Sequence, residues 1–428
     1  MANDGRSLMD VRIDRLGARG DGIADTADGP VYVPFALPGE KVRVRLGKPR
    51  GDGRSAEAVE ILSPAADRHA AACRHFGPGQ NACGGCAVQH LAPEAYRDWK
   101  RDVVSAALSR HRIETDVLPV ISVPPASRRR VRLAFRNVAG GLVLGFRSGR
   151  SDRIVDIAEC PVAVPEIVAL LPRLREFLAG RVDRGEIAVT RTAVGADVVV
   201  FSRREPDLDL RMDAPAFCTD AGIARLAWST GEGASNAEPP EPVIVLETPR
   251  IAFGGVGVDL PSDSFLQPTE AGEAALLAFV REAVANAATV VDLYAGCGAF
   301  ALPLAAAGKT VTAFEGLAAQ TAAIRGAGAG LKIAAETRDL VRRPLRPGEL
   351  TGIDALVLDP PRAGAAAQIE LLAGGDVPCI VYVSCNPATF ARDARVLIDG
   401  GYALDPVQPV DQFLWSSHVE LASVFRRR

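Results

Sequence analysis

The first 62 residues alternate apolar and polar side chains in short runs, MDVRIDRLG, PVYVPFAL, GEKVRVRLGKPR and SAEAVEILS, broken by Gly, Pro and Asp. A period of two sends one face of each run into a core and the other to water, which is the pattern of strands. Five or so such strands in so short a stretch predict a small OB-like β-barrel over residues 1–63, with Pro64 to Arg68 as a linker. The period then lengthens. Tyr96, Trp99, Val103, Ala107 and Leu108 recur at helical spacing between Pro93 and His111. Strands follow in RRVRLAFRNVAGGLVLGFR, a helix in PEIVALLPRLREFLAG, then further strands, and EGASNAEPPEPV (232–243) reads as an exposed loop. This mixed α+β region covers residues 64–262. From Thr269 the apolar runs TVVDLYAG, TVTAFEG, LKIAAETRDL, DALVLDPPR and CIVYVSCNP alternate with helical stretches, the signature of an α/β domain with a doubly wound, Rossmann-like parallel sheet over 263–428. Ligands of such a sheet sit at the carboxyl ends of its strands, so chemistry is sought there first.

Bulk composition narrows the class without naming a function. The chain has 428 residues, 48% hydrophobic and 24% charged, with a formal net charge of −3. No run reaches the ~18–20 apolar residues that cross a bilayer, and the N-terminus has no apolar signal core, so no membrane association and a cytoplasmic location are expected. Cysteines there stay reduced, and clustered ones bind metal or do chemistry more often than they form disulfides. Seven arginines between Arg128 and Arg150, with no acidic residue among them, read either as a phosphate-tracking surface or as a solvated strand pair. The barrel segment is balanced, ten basic to ten acidic residues across 1–62, and gives no electrostatic hint.

The strand ends carry the candidate chemistry. VVDLYAGCGAFAL joins a strand to a helix through Gly296 and Gly298, which let a backbone approach a ligand closely. Glu315 closes the next strand 23 positions after Asp292, suited to ribose hydroxyls. Alone this also fits a dinucleotide fingerprint, and a nicotinamide enzyme stays open on that motif. The fourth strand ends in Leu358-Asp359-Pro360-Pro361-Arg362, where two prolines force a rigid extended loop that would hold the Asp359 carboxylate against a planar ring's N–H. The fifth ends in Val383-Ser384-Cys385-Asn386-Pro387. Cys385 lies at the crevice, whereas Cys379 in the same strand reads as an inert buried thiol. A thiol at its ordinary pKa of ~8.5 is only a few per cent thiolate at pH 7, so a nucleophilic role needs nearby positive charge such as Arg362 or Arg392. DQFLWSSHVE adds His418, read as a hydrogen-bonding core histidine before a base, and Glu420, an acid opening an apolar strand.

A second cluster lies early. Cys73, Cys83 and Cys86 fall in CRHFGPGQNACGGC, and Cys160 precedes Pro161. Three local cysteines and one remote fit a four-thiolate site, either iron–sulfur or zinc.

DLYAGCGAF, LDPPRAG, VSCNP and DQFLWSSHVE together resemble the bacterial RNA uracil-5-methyltransferase family, and the resemblance covers essentially the whole chain. It implies an N-terminal TRAM-like RNA-binding barrel, a central domain with an iron–sulfur site and a class I methyltransferase domain. By this resemblance Cys385 is the nucleophile, Glu420 the base, and Asp359 orients the uracil edge. S-Adenosylmethionine would be held by Gln267, Tyr294, Gly296, Gly298, Glu315, Asp339 and Asp359. A 4Fe–4S cluster, with zinc as the alternative, would be held by Cys73, Cys83, Cys86 and Cys160. The chain departs from the family pattern at Ala299, Pro268 and Leu414. The expected substrate is a flipped-out or single-stranded uridine of RNA, 23S ribosomal RNA ahead of transfer RNA, handled by a monomer. A non-catalytic RNA-binding protein and an iron–sulfur oxidoreductase are the competing classes.

Overall fold

A computed structural model describes residues 8–79, 81–149, 151–231 and 238–428. Arg150 and residues 232–237, half of the loop expected at 232–243, lie outside the described residues, and the end of that loop is instead strand, Glu241–Val245.

Six strands between Leu8 and Ser63 make one sheet that curls around Val11, Ile13, Val31, Val33, Val42 and Val44. The inward residues are the apolar members of the period-two runs. The stretch after Pro64 is pinned rather than loose: Arg68 Nε and Nη2 donate to the buried Glu40 carboxylate at 2.6 and 2.9 Å, and the Ala65 amide adds a third bond at 3.2 Å.

The central region folds as a seven-stranded sheet carrying helices Pro165–Leu178 and Leu208–Ala221, with their apolar faces closing one core. Three arginines at the start of its arginine-rich strand are paired with carboxylates, while Arg136 and Arg147 stay exposed. Arg129 donates to Glu273 at 2.5 Å, while Arg130 and Arg132 both reach Asp263, at 2.8 and 2.6 Å. These guanidiniums are struts between the central sheet and the last domain.

In the last domain seven strands are numbered here in chain order: β1 (Thr289–Leu293), β2 (Thr310–Glu315), β3 (Ile333–Thr337), β4 (Ala355–Leu358), β5 (Cys379–Ser384), β6 (Gln408–Asp411) and β7 (Glu420–Arg427). They lie in the order β3-β2-β1-β4-β5-β7-β6, with β1 to β5 parallel and β7 antiparallel to β5, to β6 and to the short strand Tyr402–Leu404. Every residue of β4 and β5 is buried, as strands covered on both faces require. Caps set the helices that follow. Thr269 accepts from the Gly272 amide at 3.0 Å to open helix Glu270–Ala283, and Asn386, followed by Pro387, opens helix Pro387–Asp399.

Two outlying pieces join this sheet. Helix Pro93–Arg110 packs Val104, Ala107 and Leu108 into the core of Leu356, Ile380 and Tyr382, and Ile121–Ser122 pairs in parallel with β6 at the sheet edge. The hairpin Arg250–Phe253/Val256–Asp259 covers the other face. Among the described residues no helix is long and apolar enough to cross a membrane.

Candidate active site

β1, β4, β5 and β7 end or begin at one edge, and they bring Asp359, Cys385 and Glu420 into a single crevice. Asp359 follows β4 directly, Cys385 follows β5 directly, and Glu420 is the first residue of the antiparallel β7. An antiparallel strand beside β5 is what places a residue 35 positions downstream of Cys385 at the same edge. Burial, then the charges of Glu420 and Asp359, push the Cys385 thiol up to about 11, with Arg362 pulling the other way. At neutral pH Cys385 therefore rests as a thiol. Burial raises the pKa of Glu420 and of Asp359, and the Asp359 charge raises Glu420 further, so the pair does not carry two full negative charges.

A chain of amides links those carboxylates. Gln267 Nε2 donates to Asp359 Oδ2 at 2.8 Å, and Gln412 Nε2 donates both to Gln267 Oε1 at 2.5 Å and to Glu420 Oε2 at 3.1 Å. Arg129 Nε holds the Gln267 carbonyl from behind at 3.2 Å. Gln412 was not singled out by sequence reasoning, although it lies inside DQFLWSSHVE. His418 is beside Arg362, whose Nη2 lies 2.9 Å from its Nε2. Burial, then Arg362, Lys100 and Arg128, push His418 down to about 4, so it is a neutral acceptor and a poor base.

The residues expected to hold the cofactor, apart from Gln267 and Asp359, lie along β1, β2 and the turn after β3. Tyr294 holds a left-handed backbone (φ 60°), as do Gly296 (56°) and Gly298 (94°). A non-glycine residue in that region is strained and is kept only where the surroundings impose it. A Cβ on Gly296 would meet open space, the room a ligand needs, whereas one on Gly298 would strike Leu302 at 2.8 Å. Glu315 accepts from the Gly296 and Leu317 amides, both at 2.9 Å, and so fixes the loop it would share with a ribose. Asp339 lies two residues past the end of β3, with Oδ1 accepting from the Val341 and Arg342 amides at 3.0 and 3.2 Å. Asp292 is fully buried beside Asp359, and burial raises its pKa well above the carboxylate range.

The loop that delivers Gln412, Phe413, His418 and Glu420 is held from the helix Pro93–Arg110. Lys100, fully buried, donates to Asp411 Oδ1 at 2.8 Å and to the Phe413 and His418 carbonyls, and the Tyr96 hydroxyl bonds the other Asp411 oxygen. Against this loop packs the cysteine segment, whose Ala87 amide donates to the Trp415 carbonyl at 2.7 Å. Cys73, Cys83, Cys86 and Cys160 all line one cavity of about 320 Å³, which also reaches Arg362 and His418. The Gly85 amide donates to Cys83 Sγ at 3.4 Å, while His75 Nε2 is taken by the Ala158 amide. Burial lifts the Cys83 and Cys86 thiols to about 11 and about 12. Among the described residues no group of three or more His, Cys, Asp or Glu is drawn together as a metal-holding set. Cys73, Cys83, Cys86 and Cys160 thus share a cavity without being gathered as a ligand set.

Sheet order, glycine loop and strand-end acids define a class I S-adenosylmethionine-dependent methyltransferase domain. Residues 348–428 match the family described as tRNA (Uracil-5-)-methyltransferase, and residues 6–52 match the TRAM domain. An RNA methyltransferase of Caulobacter vibrioides, itself uncharacterised, is 44% identical over 98% of this chain and 100% of its own length. The 23S rRNA (uracil(1939)-C(5))-methyltransferase RlmD of Halomonas elongata is 36% identical over 95% of this chain and 87% of its own. In fold, the tRNA (uracil-54, C5)-methyltransferase of Pyrococcus abyssi, solved with S-adenosyl-L-homocysteine, superposes with a TM-score of 0.77 at 24% identity, covering 97% of this chain and 99% of the other. The chain belongs to the RNA uracil-5-methyltransferase family and is an S-adenosylmethionine-dependent enzyme acting on RNA.

Proposed function

We propose that this enzyme methylates carbon 5 of a uridine in 23S ribosomal RNA through a covalent Cys385 adduct, in the cytoplasm. The observation that carries the reading is the convergence of Cys385, Asp359 and Glu420 at one sheet edge, beside the glycine loop of β1. Carbon 5 of uracil is a weak nucleophile. Addition of the Cys385 sulfur to carbon 6 makes an enolate, and its carbon 5 takes the methyl group from the sulfonium, releasing S-adenosylhomocysteine. Glu420 then takes the carbon-5 proton, the carbon 5–carbon 6 double bond re-forms, and the thiolate leaves. Asp359 orients the uracil edge, and Gln267, Tyr294, Gly296, Gly298, Glu315 and Asp339 hold the cofactor. The raised thiol of the resting enzyme means that the sulfur gives its proton to water as it adds to carbon 6, a loss that the neighbouring Arg362 favours. Support for the ribosomal substrate is the RlmD relative of Halomonas elongata, matched over 95% of this chain.

The test is a denaturing gel with 5-fluorouridine-substituted ribosomal and transfer RNA, with and without S-adenosylmethionine. Fluorine cannot leave as a proton does, so the wild type is expected to stall as a cofactor-dependent adduct with ribosomal RNA, and Cys385→Ala to give none. A shift with transfer RNA alone would reassign the substrate. No adduct with any RNA, from protein that binds the cofactor, would overturn the Cys385 chemistry.

Cys73, Cys83, Cys86 and Cys160 are proposed to hold a 4Fe–4S cluster that braces the loop following Asp411. Protein purified without oxygen should then carry about four iron and four sulfide per chain, falling sharply in Cys86→Ser. One zinc per chain with no sulfide would reassign the site to zinc.

A further inference from the structure

Glu420 does not face its task alone: the residue that holds it is itself fully buried. Gln412 is fully buried, and its side-chain N–H groups are directed at one oxygen of Glu420 and at Gln267, which in turn donates to Asp359. Both ends of this chain of amides are carboxylate oxygens receiving an N–H. Neither Glu420 Oε2 nor Asp359 Oδ2 can donate into it, so any proton on either acid must sit on the other oxygen. We propose that Gln412 is the positioning residue for proton removal: it holds Glu420 Oε2 as an acceptor and leaves Oε1 to take the carbon-5 proton from the methylated adduct. The inference rests on the reading of Glu420 as the base.

Three features keep Gln412 in place. Asp411, its neighbour in sequence, is clamped by Lys100 and Tyr96. Its Oε1 has no partner and packs against the backbone of Gly272, where an added Cβ would lie 2.5 Å from Oε1 and 2.8 Å from the Gln412 Cβ. Only glycine fits at that point of the helix. Gln267 is itself held by Arg129, which Glu273 neutralises. The charged and titratable groups facing Glu420 are Asp359 from the loop after β4, Arg362 from the same loop, and the Cys385 thiol from the end of β5.

In the step at issue, the carbon-5 proton passes to Glu420 Oε1, the electron pair of that bond becomes the carbon 5–carbon 6 double bond, and the sulfur leaves carbon 6 as thiolate. Gln412→Met keeps the side chain's shape and removes both N–H donors. Without its donor, Glu420 holds its proton more tightly. Methyl transfer precedes this step and should proceed, so the variant is expected to accumulate a covalent complex on ordinary uridine RNA that carries label from methyl-labelled S-adenosylmethionine. The pH limb of RNA release should move up by about one unit. Gly272→Ala, which dislodges Gln412 without altering it, should do the same in weaker form. A merely structural residue would lower adduct formation and release together. Release with a wild-type pH limb and no labelled complex, in Gln412→Met or, if that variant does not fold, in Gly272→Ala, overturns the proposal. A wild type that forms no adduct with 5-fluorouridine RNA overturns the reading of the site instead.

Discussion

Glu420→Gln is expected to leave methyl transfer intact and to stop the enzyme on its RNA, cutting multiple turnover by about 10²–10⁴-fold. The residue is 2% exposed and the substitution keeps its shape, so a failure to fold is not the expected outcome. What is lost is the one acid of β7 that reaches the crevice. After methylation the carbon-5 proton then has no acceptor, and the Cys385 adduct cannot collapse. A methyl-labelled band should persist on a denaturing gel with ordinary uridine RNA, where the wild type shows none at steady state. Release of methylated RNA at the wild-type rate would remove Glu420 from the mechanism. The pH dependence has a definite sign. Burial and Asp359 raise the pKa of Glu420, so its basic form grows in as pH rises and wild-type release should climb with it, a limb that the variant lacks. For stability the sign is reversed. The folded protein binds this proton more tightly than the unfolded chain, so the carboxyl's contribution is full at low pH and is lost as pH climbs through the raised value. Glu420→Gln should accordingly gain on the wild type in alkaline solution.

How much of this was legible in the sequence depended on the distance over which each signal acts. Strand-end motifs are local: Asp359 and Cys385 follow strands whose apolar runs are unmistakable, and a parallel sheet must present those ends together, whereas Glu420 reaches the same edge only because the strand it opens runs antiparallel. The cysteines likewise announce themselves by spacing. Side chains that act across domains were not legible. Nothing in the local sequence marks Lys100, because its partner Asp411 is 311 residues away. Arg129, Arg130 and Arg132 read as possible phosphate contacts, since nothing near them in the sequence supplies the carboxylates of Glu273 and Asp263. Gln412 was visible within its motif, yet an uncharged residue beside an acid gives no hint that it bridges two buried ones. The helix Pro93–Arg110 was legible as a helix, whereas the sheet it covers was not, since helical periodicity says which face is buried and never against what.

That helix sets the second large expectation. Lys100→Met removes the cation from a fully buried pair and leaves Asp411 charged in the interior with only the Tyr96 hydroxyl, a loss of about 3–5 kcal/mol. Against domain stabilities of about 5–15 kcal/mol this is a large fraction, and the melting transition should fall by roughly 10 °C. The lysine also holds the Phe413 and His418 carbonyls, so its loss frees the loop that presents Gln412 and Glu420. The cofactor loop after β1 is anchored separately, through Glu315 and the Gly296 amide. Cofactor binding, measured by calorimetry on the folded fraction, should therefore survive while adduct formation with 5-fluorouridine RNA drops. Lys100→Met combined with Asp411→Asn removes both charges together, and most of the lost stability should return because no buried charge is left unpaired. Adduct formation should return less fully, since the two carbonyls regain no donor. A single variant melting within about 2 °C of the wild type would mean that water reaches Asp411 and that the pair does not hold the loop. If adduct formation instead tracked stability one for one, the helix would serve the sheet alone, and the base-bearing loop would owe its shape to the cysteine segment packed on its other side.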